Sequence, residues 1–443
     1  MFFRLEKEFD VNEIVANNLP VWQFLRNTVH SKILYSNSLD RKPLINGFKK
    51  ILNLSPLHIP SGQYDYVLFT DSNEMEVDEN GLYVDKVSQN IINTVGKKLL
   101  VVIDSLNKFN GRIKNVSNCL DVSYFHFQRR LQVIYPPPRI NNKKELCALL
   151  ASDLLRLSNY NFKRDILLFF KYSSVFDRWL LKVRPKVVFV NCGYSLFHQA
   201  LIYSCNNKKV KTVELQHGLI SPEHIHYSPS IYMGQDSYPK YFLSFSDYQS
   251  RFVNENFISK SNVYPIGHYF KEHKSKKINE ECFKLCSGLR KKYDRIILVS
   301  SQKAIEDELY KTINVLASRR PNYIFIFKQR ESTSLVSHHS NILLDQKYSI
   351  YDFLNLVDVN LSCFSTSVLE FLSHKTIGIL VDFNNLASNY FREIKKDFNN
   401  IFICQNKQQI LKALDLKKIN FLGPELYKND NKENVKSFIF KTL

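Results

Sequence analysis

The sequence predicts an α/β protein built as two parallel-sheet halves facing a central cleft, and three observations carry that expectation. The chain is 443 residues long, more than one hydrophobic core ordinarily organises. It is 44% hydrophobic, with 33 Phe and 24 Tyr, a composition that specifies packed interiors and not a disordered or repetitive chain. Short apolar runs ending in polar loops also alternate with helix-period segments, first over residues 61–265 and again over 266–425, which is the pattern of parallel strands covered by helices.

Residues 1–60 read as a mostly helical segment. The N-terminal domain, 61–265, opens with "YDYVLFTDS", a buried strand running into a polar loop at Asp71 and Ser72. "KKLLVVIDS" is its next strand, with a helix over "VDKVSQNIINTVG" between the two. "PKVVFVNCGYSLFHQALIYSCNNKKVKTVELQHG" repeats the scheme: a strand at 187–190, a loop, a helix to Cys205 and a strand at 212–215. "PKYFLSFSDYQSRFV" and "NVYPIGHYF" continue it. Pro265, Gly267 and the lysine-rich stretch after them mark the crossing to the second domain, 266–425. There "DRIILVSSQ", "YIFIFKQRE", "NILLDQ", "VDVNLSCFSTSVLEFLSHK" and "TIGILVD" restart the alternation, and 426–443 reads as a C-terminal helix. Two such Rossmann-like halves place ligands at the carboxyl ends of their strands.

The 61 Lys and Arg against 42 Asp and Glu give a formal charge of +19, which favours phosphorylated small molecules or anionic lipid headgroups as partners. The excess is diffuse, with small clusters at Lys271, Lys274, Lys276 and Lys277 and at Arg290, Lys291 and Lys292. No helix-turn-helix, RNP-like or zinc-finger pattern accompanies it, so nucleic acid is not an expected partner. Eight scattered cysteines without a CxxC pair suit a reducing compartment. The first residues lack a signal-peptide core, and no stretch reaches the roughly 18 uncharged apolar residues of a membrane span. The expectation is a cytoplasmic protein, peripheral at the inner face of the membrane.

The chemistry-bearing stretches are two. In "KTVELQHGLISPEHIHY" a strand stops at Gln216-His217-Gly218, delivering an imidazole to the carboxyl edge of its sheet, where Gly218 permits a sharp turn. His217 can take a proton from a hydroxyl or donate to a phosphate, while Glu223 and His224 can orient it or share that work. A purely structural role in the turn is the alternative for His217. His224 and His226 face opposite ways on an extended segment and no DxD pair stands out, so no metal is expected. In "SCFSTSVLEFLSHK", Ser365, Thr366 and Ser367 follow a strand and precede an apolar helix, an arrangement suited to an anion. Ser367 and Glu370 also satisfy a capping box, and Glu370 can bind ribose hydroxyls. Lys328 and Arg330, ending "YIFIFKQRE", can hold a diphosphate.

The order "YDYVLFTDSN", "VELQHGLISPEHIHY", "NVYPIGH", "FSTSVLEFLSHKTIGILVD" resembles GT-B glycosyltransferases of bacterial surface-polysaccharide assembly, such as capsule and lipopolysaccharide O-antigen. Within these it is similar to the group sharing a QHG loop with capsule-synthesis proteins and CDP-glycerol glycerophosphotransferases. The resemblance covers about residues 60 to 400. It implies an N-terminal acceptor domain and a C-terminal nucleotide-sugar donor domain, with His217, Glu223 and His224 catalytic. Lys328, Arg330, Ser365, Thr366, Ser367, Glu370 and Gly267 then bind the donor, and Gln216, Gly218, Asp71 and Ser72 line the cleft. Relatives often carry a Lys-x-His-Pro loop where this chain reads Lys328-Gln329-Arg330-Glu331, so a leaving-group role passes to Arg330 or is absent. The implied activity is metal-independent, cofactor-free transfer of a sugar to a hydroxyl of a lipid-linked glycan, with His217 or Glu223 as base. Transfer of a polyol phosphate from a CDP donor and non-catalytic sugar or partner binding are the alternatives.

Overall fold

The computed structural model describes residues 2–34, 59–78, 80–109, 111–275, 279–329, 335–374, 376–416 and 421–443. The chain divides into two compact units: unit 1 comprises Met1–Phe245, Ser250–Tyr269 and Asp430–Leu443, and unit 2 comprises Ser246–Gln249 and Phe270–Asn429. Each is a Rossmann-like α/β domain with its own parallel sheet.

In unit 1 the strands are β1 (Tyr66–Thr70), β2 (Leu99–Ile103), β3 (Cys119–Asp121), β4 (Val187–Val190), β5 (Lys211–Leu215), β6 (Tyr241–Ser244) and β7 (Val263–Pro265). They lie in the order β7-β6-β5-β4-β1-β2-β3, every neighbouring pair parallel. Runs such as Val-Val-Phe-Val in β4 and Leu-Leu-Val-Val-Ile in β2 are buried along their whole length, as strands covered by helices on both faces must be. The core between sheet and helices is aromatic. Phe69 meets Phe125, Phe176 and Trp179 edge-on or tilted, and Phe24 stacks on Phe169 with ring centroids 3.9 Å apart.

The N-terminal segment belongs to this core. Helices Phe2–Glu8 and Trp22–Leu34 flank a two-residue hairpin, Val15–Ala16 against Leu19–Pro20. Its turn is Asn17-Asn18, with φ of 49° and 65°, the left-handed pair that asparagine tolerates and that matches strand twist. Glu6 and Arg26 form a fully buried ion pair at 2.6 Å, and Glu6 also accepts from the Trp22 indole and from the Ser230 amide and hydroxyl. The expected helical content of 35–58 lies outside the described residues. Helix Asn431–Lys441 returns to unit 1, where Asn431 donates to the Ile266 carbonyl at 3.0 Å and joins Asn90 at 2.7 Å.

In unit 2 the strands are β8 (Arg295–Ser300), β9 (Tyr323–Lys328), β10 (Ile342–Asp345), β11 (Val359–Ser362), β12 (Ile377–Val381) and β13 (Ile401–Cys404). Their order is β10-β9-β8-β11-β12-β13, all parallel. Gly378 in β12 is required by packing: a Cβ there would lie 2.8 Å from Val368, so its absence lets helix Ser367–Leu372 sit directly on the sheet. Both sheets reverse their winding beside the first strand, at β1/β4 and at β8/β11. That switch point is where open α/β sheets bind ligands. Among the described residues no helix is long and apolar enough to cross a membrane.

Candidate functional site

The site in unit 1 is built around a carboxylate. Strand β5 carries Glu214, fully buried, and a charge there persists only if its oxygens are occupied. Oε1 accepts from the Gly193 N–H at 3.0 Å and from the Tyr227 hydroxyl at 2.9 Å, and Oε2 faces His226 Nε2 at 3.3 Å. Burial resists ionisation of Glu214, but His226 beside it and these hydrogen bonds outweigh it and hold the carboxyl below its usual range. Gly193 cannot be another residue without moving the carboxylate, because a Cβ would lie 2.2 Å from Oε2. The Asn27 amide nitrogen lies 3.1 Å from His226 Nδ1. With that nitrogen accepting, the His226 proton sits on Nε2, where it is donated to Glu214.

His217 follows β5. Its Nε2 is 3.0 Å from the Tyr194 hydroxyl. Burial by itself would lower its pKa, but Cys192 beside it and the Glu74 and Glu214 carboxylates raise it to about 9. These neighbours favour the protonated imidazole of His217. His224 goes the other way: burial, then the charges of His226, His217 and His30, hold it well below 6.5. The ring of Tyr194 sits among them, with centroids 5.5 Å from His217, 5.6 Å from His224 and 5.4 Å from His226. Four polar atoms of the following loop, His217 Nδ1, Ser221 Oγ, Glu223 Oε2 and His224 Nδ1, are buried and make no hydrogen bond to the described residues. Such a concentration is rare in folded proteins, where buried polar atoms are almost always paired.

The segment after Gly218 is not extended. The His224 amide donates to Ser221 and the Tyr227 amide to His224, at 3.0 and 3.1 Å, so the chain turns. His226 points inward to Glu214, and the alternation expected of His224 and His226 does not apply. Among the described residues no group of three or more His, Cys, Asp and Glu is arranged to hold a metal ion. Gln216 works as a clamp: it donates to the Gly218 carbonyl at 2.8 Å and accepts from the Phe245 amide at 2.7 Å. Asp71 and Ser72 build a turn after β1. Asp71 accepts from the Asn73 amide at 2.8 Å, and the Ser72 amide and hydroxyl donate to Asp104 at 2.6 and 3.0 Å. That turn carries Glu74, whose own carboxyl burial raises, with Lys86 and His217 opposing.

At the corresponding edge of unit 2, hydroxyls and amides close on one another. Ser362 donates to the Ser300 carbonyl at 2.8 Å, Asn360 to the Ser300 hydroxyl at 2.9 Å, and Ser301 to Glu306 at 2.7 Å. The Phe364 amide donates to Gln302 at 3.1 Å. Ser365 Oγ receives the Ser367 amide at 3.3 Å and its hydroxyl at 2.9 Å. The expected capping box does not form. Ser367 lies inside the six-residue helix Ser367–Leu372, Thr366 precedes it without a side-chain cap, and Glu370 accepts from the Tyr351 hydroxyl at 2.8 Å. Lys328 is buried and ion-paired to Asp345, and it also donates to the Tyr348 carbonyl. Arg330 lies outside the described residues. Gly267 is in unit 1, following β7, with φ of 88°. Of the lysine cluster, Lys271 lies over the Tyr427 ring at 5.0 Å and Lys274 pairs with Asp352 at 3.2 Å. Lys276 and Lys277 are outside the described residues.

The sequence pattern singles out the segment from Gln216 to His226; Glu214, Gly193, Tyr194, Asn27 and Glu74, which the structure brings to it, were not among the expected site residues. A glutamate inside an otherwise apolar strand was the available signal for Glu214.

No family model matches the chain, and no curated protein is similar to it in sequence. Solved structures similar to it include UDP-GlcNAc 2-epimerase from Methanocaldococcus jannaschii, with a TM-score of 0.51 and 12% identity over 85% of this chain and 98% of that one. The same enzyme in complex with UDP-GlcNAc and UDP gives 0.52 and 12% over 84% and 98%. S. aureus MnaA in complex with UDP gives 0.53 and 11% over 85% and 96%. At these identities the likeness establishes the fold, two Rossmann-like domains of the GT-B-like kind.

Proposed function

We propose that the chain is a nucleotide-sugar enzyme, and specifically a glycosyltransferase that moves a sugar to a hydroxyl of a glycan acceptor in bacterial surface-polysaccharide assembly. The carrying observation is the loop after β5, where His217 Nδ1 and three further buried polar atoms, on Ser221, Glu223 and His224, make no hydrogen bond to the described residues. Groups held unpaired in a desolvated place offer their hydrogen bonds to a bound molecule at full strength.

The pKa directions divide the roles. His217, whose pKa its neighbours raise, serves as a donor that stabilises negative charge on the departing phosphate, not as the base. Glu223, with one carboxylate oxygen unengaged, takes the acceptor proton as the acceptor oxygen bonds to the anomeric carbon and the bond from that carbon to the nucleotide phosphate breaks. Glu214, Tyr194 and Asn27 fix the imidazoles. Ser365, Thr366, Ser367, Glu370 and Arg330 remain the proposed donor contacts, with Lys328 supporting the strand end through Asp345. The reaction is proposed to need no metal, so activity in EDTA is expected.

The fold likeness to UDP-GlcNAc 2-epimerases favours a second reading, epimerisation of the nucleotide sugar. One experiment separates the possibilities. Purified protein is incubated with a panel of nucleotide sugars, with and without membrane glycan extracts, and the nucleotides are resolved. Acceptor-dependent release of a nucleoside diphosphate supports glycosyl transfer. Isomerised but intact nucleotide sugar supports the epimerase. CMP from CDP-glycerol supports polyol-phosphate transfer, and a thermal shift without turnover supports a binding protein.

A further inference from the structure

Unit 1 carries an exposed apolar tip within a basic stretch of sequence. Leu131, Val133 and Ile134 are 58%, 85% and 95% exposed, and Val133 and Ile134 are the most exposed large hydrophobic side chains among the described residues. From Val122 to Lys144 the sequence has Arg129, Arg130, Arg139, Lys143 and Lys144 and no Asp or Glu. Arg130, Arg139, Lys143 and Lys144 are exposed.

The tip is held, not loose. Tyr135 donates to the Phe170 carbonyl at 3.2 Å, Lys171 donates to the Gln132 carbonyl at 2.9 Å, and Ile140 bridges to Ala16. Pro136, Pro137 and Pro138 between these anchors fix φ and have no N–H, so the segment is stiff and cannot pair as a strand edge. Stiffness matters because an ordered projection loses little conformational freedom on insertion.

We propose that this tip, residues 131–134 with the basic side chains around it, docks unit 1 on an anionic lipid surface. Aliphatic tips insert at the headgroup level while Arg and Lys meet anionic headgroups, and the two contributions add. Three side chains fall well short of the roughly 1,000 Å² that a stable protein–protein interface buries, which disfavours a protein partner. The Lys271 and Lys274 cluster is a poorer candidate, since its ammonium groups are turned to Tyr427 and Asp352. The inference extends the proposed transfer to a lipid-linked acceptor, yet it is read by binding alone, so either can fail without the other.

The test is cosedimentation of the full chain with phosphatidylglycerol-containing vesicles and with neutral phosphatidylcholine vesicles across a salt series. Binding to anionic vesicles, falling as salt rises, is expected. Val133→Asp with Ile134→Asp should weaken it at least roughly tenfold, on the scale of two buried aliphatic side chains. Reversal of Arg130, Arg139, Lys143 and Lys144 to Glu should remove the preference for anionic vesicles. Ile134→Ser alone, at the most exposed position, should act in the same direction with an unchanged melting curve. Absence of wild-type binding, or binding indifferent to the aspartates, overturns the proposal. Loss of self-association in sedimentation velocity, with vesicle binding intact, overturns it in favour of a second copy of the chain.

Discussion

Both units wind their sheets in the same order, but the edges at their switch points differ. In unit 1 a buried carboxylate, Glu214, anchors a cluster of imidazoles, and the loop beyond holds buried polar atoms that make no hydrogen bond to the described residues. In unit 2 the serines beside β8 and β11 bond to neighbouring backbone and side chains, and Lys328 is neutralised by Asp345. Topology creates a crevice in both, while the loops decide whether it carries unspent charge. Under the proposed function, unit 1 would hold the chemistry and unit 2 the weaker, hydroxyl-based recognition.

The comparison breaks most decisively at His217. His217→Ala should lower turnover by roughly 10² to 10⁴, the usual range for a group that moves or stabilises charge in the transition state, with little change in melting temperature. A variant that unfolds would make His217 a turn residue instead. Gly193→Ala comes next: the methyl group displaces the Glu214 carboxylate from its partners, and stranding a buried charge costs about 3–5 kcal/mol in denaturant unfolding. Wild-type stability there would mean that Glu214 has another way to be satisfied.

Lys328 sharpens the contrast from the other side. Lys328→Met leaves Asp345 unpaired, so unfolding should show a loss of similar size, while nucleotide affinity in calorimetry should fall by less than threefold. A larger affinity loss with normal stability would return Lys328 to the donor. Thr366→Ala and Arg330→Ala should each weaken nucleotide binding by roughly 1.5–3 kcal/mol, the worth of a hydrogen bond to a charged group. Unaltered calorimetric affinity in both would empty unit 2 of its proposed role.

The smallest effect is in pH. His217, raised to about 9 from 6.5, stabilises the fold fully below pH 6.5, and that contribution is lost as pH rises through 9. His198 is depressed to about 4, chiefly by burial, so its contribution is present above pH 6.5 and lost as pH falls through 4. His217→Gln should flatten the alkaline limb of stability against pH and leave the acid limb. Flattening of both would place the titration elsewhere.

The central strands were legible because they are uninterrupted apolar runs, and the Gln216–Gly218 edge because a strand ends there in groups that apolar packing does not use. The edge strands β3 and β13 were not, since three or four residues bounded by polar neighbours carry too short a pattern. The partners of Glu214 were hidden for another reason. Gly193 is 21 residues away in sequence, and Asn27 is 199 residues from the His226 it meets, so no local spacing records either contact. Capping was misread at Ser367 because S-x-x-E describes a composition that Tyr351, on a different segment, redirects through Glu370.

Helix Asn431–Lys441 gives unit 1 a history in time as well as a shape. The ribosome makes unit 2 before it makes this last piece of unit 1. At roughly 5–20 residues per second, residues 270–429 take on the order of ten to thirty seconds to emerge. Throughout that interval the rings of Tyr241 and Tyr264, which Phe438 later covers at 5.7 and 5.0 Å, lack their lid, and the Ile266 carbonyl awaits Asn431. The face of unit 1 that Phe438 and Asn431 close is therefore the last part of that domain to be covered during synthesis, and any delay in translation lengthens the time it stays open.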